Sequence, residues 1–216
     1  MPLIFSSGAM PMMKLETESP SLAPSLTPAL TLQIAVGHTM VLDAALLQRS
    51  SCLNVAQGLL RVAISGLELE PLDAPAITLG FLQTGDQLNL DLLRRSRLHL
   101  EAIFPVELKD DEERLPSEGS NSLNDWTVAL LMIRHLGEAE QRIAALMQLL
   151  VERLGRRCGE WYELPMLLTH AQLAELSGHT RVTVTRQLSK WRKAGLISSQ
   201  NCPGGGLRLS PQLMQA

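Results

Sequence analysis

The stretch that most constrains this chain is LLTHAQLAELSGHTRVTVTRQLSKWRKAGLI, residues 167–197. Thr169 precedes a short apolar-periodic segment, and Gln172 lies three residues on. That is the spacing of a capping box: the hydroxyl accepts a free N–H of the first turn while the amide reaches back to the cap N–H. The predicted helix is short, about Ala171 to Leu176. Ser177-Gly178-His179 breaks it, since Gly178 can adopt a positive φ. Thr180 suits the cap of a second helix, in which Val184, Leu188 and Trp191 share one face at i, i+4 and i+7. Ala174 is small enough to let the two helices cross closely. A short helix, a glycine turn and a longer helix make a helix-turn-helix; the competing reading is an ordinary αα-hairpin.

The second helix begins TRVTVTR. Threonine and valine are mediocre helix formers, so this run answers to something other than helix stability. Once Val184, Leu188 and Trp191 face inward, Arg181, Val182, Thr185 and Arg186 face outward near the helix N-terminus, the end that enters the major groove in such motifs. Arginine can donate two hydrogen bonds to guanine O6 and N7, and Val182 and the threonine methyls can meet a thymine methyl. Thr169, Thr180 and Thr183, with His170, are placed to bind phosphates. Lys190, Arg192 and Lys193 add positive charge further along. Double-stranded DNA is the expected partner.

The charge distribution agrees. The chain of 216 residues carries a net −3, but residues 1–154 hold 11 Lys+Arg against 19 Asp+Glu, and residues 155–216 hold 8 against 3. A basic C-terminal module on an acidic body suits a polyanion. With 45% apolar residues but only three Phe, three Trp and one Tyr, the core must be aliphatic. Cys52, Cys158 and Cys202 are odd in number, far apart and without CxxC spacing, which points to a reducing compartment and away from a disulfide frame, zinc or an iron–sulfur cluster. No apolar run reaches the roughly 20 residues of a membrane helix. The start MPLIFSSGAMPMMKLE has no basic segment before an apolar one, so no signal peptide is read. A cytoplasmic protein without cofactor or metal is expected. The DDEE run at 110–113 reads as a solvated charge block, and no nucleophile elbow, P-loop or set of metal-spaced histidines suggests an enzyme.

Along the chain, residues 1–30 are rich in Ser, Pro and Met and read as a flexible tail. Short apolar-alternating runs follow: LQIAV (32–36), CLNVAQGLLRVAI (52–64), AITLGFLQTGDQLNL (76–90) and LHLEAIFPVEL (98–108). They predict an antiparallel β-sandwich or roll, with Gly58, Gly80 and Gly85 at turns or bulges. KDDEERLPSEGSN (109–121) reads as an acidic linker. Two helices follow, over 122–136 and 138–155. In the first, Trp126, Leu130, Ile133 and Gly137 form a stripe suited to another helix, either within its own domain or in a second copy of the chain. Beyond the helix-turn-helix, SSQNCPGGGLRLS predicts a hairpin, and LPMLL (164–168) can supply a further strand.

These residues resemble a known family. LTHAQLAELSGHTRVTVTRQLSKWRKAGLIS is similar to the DNA-binding domain of CRP/FNR transcription regulators, and TRVTVTR to their cyanobacterial global nitrogen regulators. EQRIAALMQLLVERLG resembles the first helix of that domain. NVAQGLLRV, ITLGFLQTGD and RLHLEAIFPVEL resemble strands of the family's sensor. The resemblance implies an α+β fold: a flexible tail (1–30), an antiparallel β-roll of the cyclic-nucleotide-binding kind ending in the acidic linker (31–121), a dimerisation helix (122–137) and a winged helix-turn-helix (138–216). It implies a homodimer on a palindromic operator with GTA-type half-sites, read by Arg181, Val182 and Arg186. Trp126, Leu130, Ile133 and Gly137 would then lie in the dimer interface. Cyclic-nucleotide members carry a Gly-Glu pair where this chain has Asn89-Leu90, and leucine cannot accept ribose hydroxyls, so cAMP is not expected. At the family's 2-oxoglutarate positions this chain has Asp125 and Leu130. Arg94, Arg95 and Arg97 remain for another small anion. The alternative is an adaptor or anion sensor with secondary DNA contacts, meeting RNA polymerase or a signalling protein.

Overall fold

The computed structural model describes residues 31–42, 52–67, 76–90, 96–110, 122–199 and 206–214. The tail, Arg94, Arg95, the linker from 111 to 121 and Cys202 lie outside the described residues. Strands β1 (Thr31–Ile34), β2 (Thr39–Leu42), β3 (Cys52–Gln57), β4 (Leu59–Leu67), β5 (Ile77–Gln83), β6 (Gln87–Asn89), β7 (Ser96–Ala102) and β8 (Val106–Asp110) form two antiparallel sheets. Their orders are β1-β8-β3-β6 and β2-β7-β4-β5. Alternate side chains point to opposite faces of a strand. The inward set from the two sheets, including Val55, Leu60, Val62, Leu88, Leu90, Leu98, Leu100 and Leu108, makes one aliphatic core. Lys109 and Asp110, expected in the linker, pair with β1 and β3 instead, because their alternation continues that of β8.

Gly58 breaks the 52–64 run into two strands at φ 102°, and a Cβ there would lie 2.1 Å from the Pro105 carbonyl oxygen. Gly85 sits in the β5–β6 turn at φ 96°. Gly80 sits at a bulge rather than a turn: Val62 pairs with Gly80 but Ala63 with Thr78, so the register shifts beside it. It lies within β5 under helix α1 (Ser122–Arg134), where a Cβ would come within 2.3 Å of the Trp126 Cβ.

Helix α2 (Ala139–Leu154) is followed by a hairpin of β9 (Arg156–Cys158) and β10 (Trp161–Leu164). The strand expected over 164–168 therefore lies earlier, and the residues after Leu164 lead into α3 (His170–Ser177) and α4 (Arg181–Lys193). Strands β11 (Ile197–Ser198) and β12 (Leu207–Leu209) pair antiparallel beside β10, as the hairpin reading expects, and Pro211–Met214 close with a 3-10 turn. A second core runs through all four helices and takes Leu59 and Phe81 from the roll. Adjacent residues Phe81 and Leu82 thus serve different cores, one on each face of β5.

The stripe on α1 needs correction. Trp126, Leu130 and Ile133 are buried inside their own chain, with Phe81 edge-on to Trp126 at 5.2 Å between ring centroids and the Arg153 guanidinium 4.7 Å from its ring centre. They cannot face a partner. Gly137 is exposed, beyond the end of the helix. The outer face of α1 carries Val128, Leu131 and Met132, which are 59%, 55% and 64% exposed. At 100° per residue this set lies opposite the buried one. Among the described residues, no helix is long and apolar enough to cross a membrane.

Candidate nucleic-acid interface

The helix pair forms as its sequence predicts. Thr169 caps α3: its hydroxyl accepts the Gln172 N–H, and the Gln172 amide oxygen accepts the Thr169 N–H at 2.9 Å. Gly178 ends α3 at φ 69°, and its left-handed backbone turns the chain into α4. Thr180 caps α4 by accepting the Thr183 N–H. Val184, Leu188 and Trp191 are fully buried between the helices, and Ala174 is buried where they approach.

The opposite face is open. Arg181, Val182, Thr185 and Arg186 are exposed, Val182 at 67%. A valine so exposed at the start of a helix gains nothing from the core. The α4 N-terminus adds the positive end of the helix dipole, and its first turn holds no acidic residue. Thr183 lies half-buried to one side, its hydroxyl 2.9 Å from that of Thr180.

His170 joins the two helices. The Thr185 hydroxyl donates to the Arg181 carbonyl at 2.8 Å, so it accepts from the His170 Nδ1–H at 2.8 Å. Nε2 is then the ring's free acceptor. Burial, then the charges of Arg192 and Arg181, hold the His170 pKa below the ordinary histidine value. Lys190 does not stand on the outward line. Its ammonium lies 2.8 Å from Glu140 at the start of α2, and that hydrogen bond is the main cause of the depressed Glu140 pKa. Its charge is engaged within the chain.

Of the cations read as an anion site, Arg97 lies on β7, half-buried, with a buried Nη1 that has no hydrogen-bond partner. Leu90, at the position compared with the sugar-binding glutamate, is 1% exposed in the roll core. Among the described residues no cluster of His, Cys, Asp or Glu is arranged to hold a metal ion. Sequence reasoning missed Glu140, Gln172 as a contact between domains, and Glu175, whose partners lie far away in the chain.

A β-roll joined through a helix to a helix-turn-helix with an open, cationic outward face defines a DNA-binding transcription regulator. The chain belongs to the CRP/FNR family. A model of the Crp-like helix-turn-helix domain matches residues 141–209, and one of the cyanobacterial CRP family N-terminal domain matches residues 32–123. The regulatory protein CysR of Synechococcus elongatus is 35% identical over 150 residues, covering 67% of this chain and 70% of that protein. Among solved structures, TTHA1359 from Thermus thermophilus, a CRP/FNR-family transcriptional regulator, is similar with TM-score 0.62 at 20% identity over 87% of this chain and 99% of that one. FixK2 of Bradyrhizobium japonicum gives 0.60 at 17% over 87% and 96%. At these identities the structures speak to fold alone. Helix α1 lies almost wholly between the two matched segments.

Proposed function

We propose that this regulator works as a homodimer on a palindromic operator, each α4 reading a GTA-type half-site through Arg181, Val182 and Arg186. The observation that carries this reading is the exposure of these residues at the N-terminal end of α4 while the opposite face is fully buried. Thr169, Thr180, Thr183 and His170 contact phosphates, and Thr185 acts mainly by orienting His170. The two chains associate through the outer face of α1, where Val128, Leu131 and Met132 make an apolar patch continued by Leu136. The roll does not take cAMP: Leu90 has no acceptor for ribose hydroxyls and already fills the core. RNA polymerase is the expected protein partner, and no catalytic role belongs to this reading.

The test is fluorescence anisotropy of the purified protein at fixed salt on a GTA/TAC palindrome and a scrambled duplex, alone and with cAMP or 2-oxoglutarate. Selective binding to the palindrome without addition, unchanged by cAMP, is expected. Selectivity that appears only with cAMP would overturn the reading of the roll. Equal binding to both duplexes would overturn the operator.

A further inference from the structure

A seam of polar side chains joins the outer face of sheet β2-β7-β4-β5 to α3, the first helix of the helix-turn-helix. Glu175 on α3 accepts the backbone N–H of Thr78 at 2.9 Å and its hydroxyl at 2.6 Å. β5 is an edge strand, so Glu175 satisfies a donor that the sheet would otherwise leave open. Gln172 works in two directions. Its oxygen completes the α3 cap, while its nitrogen donates to the Glu101 carboxylate on β7 at 3.2 and 3.4 Å. Arg61 on β4 closes the circuit, donating to Glu101 at 2.5 Å and to the Thr78 hydroxyl at 2.6 Å. From the other side Arg134, the last residue of α1, donates to the Glu175 carbonyl at 2.8 Å and its carboxylate at 3.3 Å.

These groups are shielded. The Arg61 and Glu101 side chains are 16% and 19% exposed, so their pairing is less screened than a surface ion pair. The seam fastens α3 at its cap and near its C-terminus, to two strands and to α1. A helix held at both ends cannot rotate against the sheet without breaking several bonds together.

We propose that this seam is an interdomain latch: Gln172 and Glu175 hold the helix-turn-helix against the β-roll in one orientation, which presets the separation of the two recognition helices in the dimer. A palindrome rewards such presetting, because binding the second half-site then costs no further loss of orientational freedom. The latch rests on the proposed dimeric operator complex for its consequence, but not for its existence.

Gln172→Glu separates the cap from the latch. Glutamate is a usual capping-box partner, so the cap persists, while its charge repels Glu101. The double variant Glu101→Gln/Gln172→Glu restores the bond with donor and acceptor exchanged. On the full chain, amide exchange is followed at Thr78, with the amides of Gln172 and Leu173 reporting that the cap is intact. Anisotropy is measured on the palindrome and on an isolated half-site. Gln172→Glu should speed exchange at Thr78 and weaken the palindrome by about fivefold or more, leaving the half-site within about twofold. The double variant should recover both. Unchanged exchange at Thr78, unaltered palindrome binding, equal loss on the half-site, or failure of the double variant to recover would each overturn the latch. A wild-type protein with no preference for the palindrome would instead overturn the operator reading, and the exchange at Thr78 would then decide the latch by itself.

Discussion

Arg186 stands one helical turn beyond Val182 on the outward line of α4, exposed at the mouth of the interface. Replacing it with alanine removes a fork of donors and should cost about 1–3 kcal/mol of operator binding, with relaxed choice at one base pair. Competition against single-base operator variants checks this; undiminished discrimination would contradict it. Three histidines contribute to the response to acid. Burial is the first cause depressing His99, His170 and His179, with Arg61 and Arg97 adding to the first, Arg192 and Arg181 to the second, and Arg142 to the third. Below the ordinary histidine value of about 6.5 the unfolded chain therefore binds more protons than the folded one, so these groups favour folding above that pH and the advantage is lost as pH falls. Melts should show a lower Tm near pH 5.5 than near pH 7.5, and a slope that asparagine at all three positions flattens. A slope untouched by those changes would refute the assignment. At this scale the sequence was legible wherever partners are close in the chain: Thr169 with Gln172, Thr180 with Thr183, Gly178 at its turn. Lys190 was not, because Glu140 lies fifty residues away, and nothing local distinguishes a lysine bound to its own chain from one waiting for phosphate.

Helices α3 and α4 were readable because each has one apolar face and a polar remainder, so period and caps agree. Helix α1 was not. It is apolar on two opposite sides, with Trp126, Leu130 and Ile133 on one and Val128, Leu131 and Met132 on the other. Periodicity finds the first stripe and cannot say whether the chain itself or a second copy buries it. Gly80 decides. Its missing side chain leaves room for the tryptophan on β5, information held in strand and helix together. Gly80→Val should press branched carbons into Trp126 and cost about 1–3 kcal/mol. Urea unfolding together with a change in the Trp126 environment would show it; full stability would mean that α1 can shift without loss. The strands were legible through alternation, while the hairpin of β9 and β10 was hidden because arginines and a partly exposed tryptophan mask its pattern.

For the molecule, the proposed dimer rests on the open stripe of α1. Met132→Glu places a charge on a 64% exposed apolar position, so it should leave the monomer fold intact and shift sedimentation from dimer to monomer. Operator binding should weaken with it while half-site binding persists. A dimer that survives would place the interface elsewhere. The division of aromatic residues has its own consequence. Among the described residues the roll core contains no aromatic ring, whereas Trp126, Trp161 and Trp191 all belong to the helices and the C-terminal module. Tryptophan fluorescence is therefore blind to the interior of the roll, and a fluorescence melt follows the helices, the C-terminal module and the face of β5 under Trp126. Recorded beside far-ultraviolet circular dichroism, which sees the strands, it becomes a direct gauge of cooperativity. Coincident curves would mean that the two cores, touching through neighbouring residues of β5, melt as one unit; separated curves would give each its own stability.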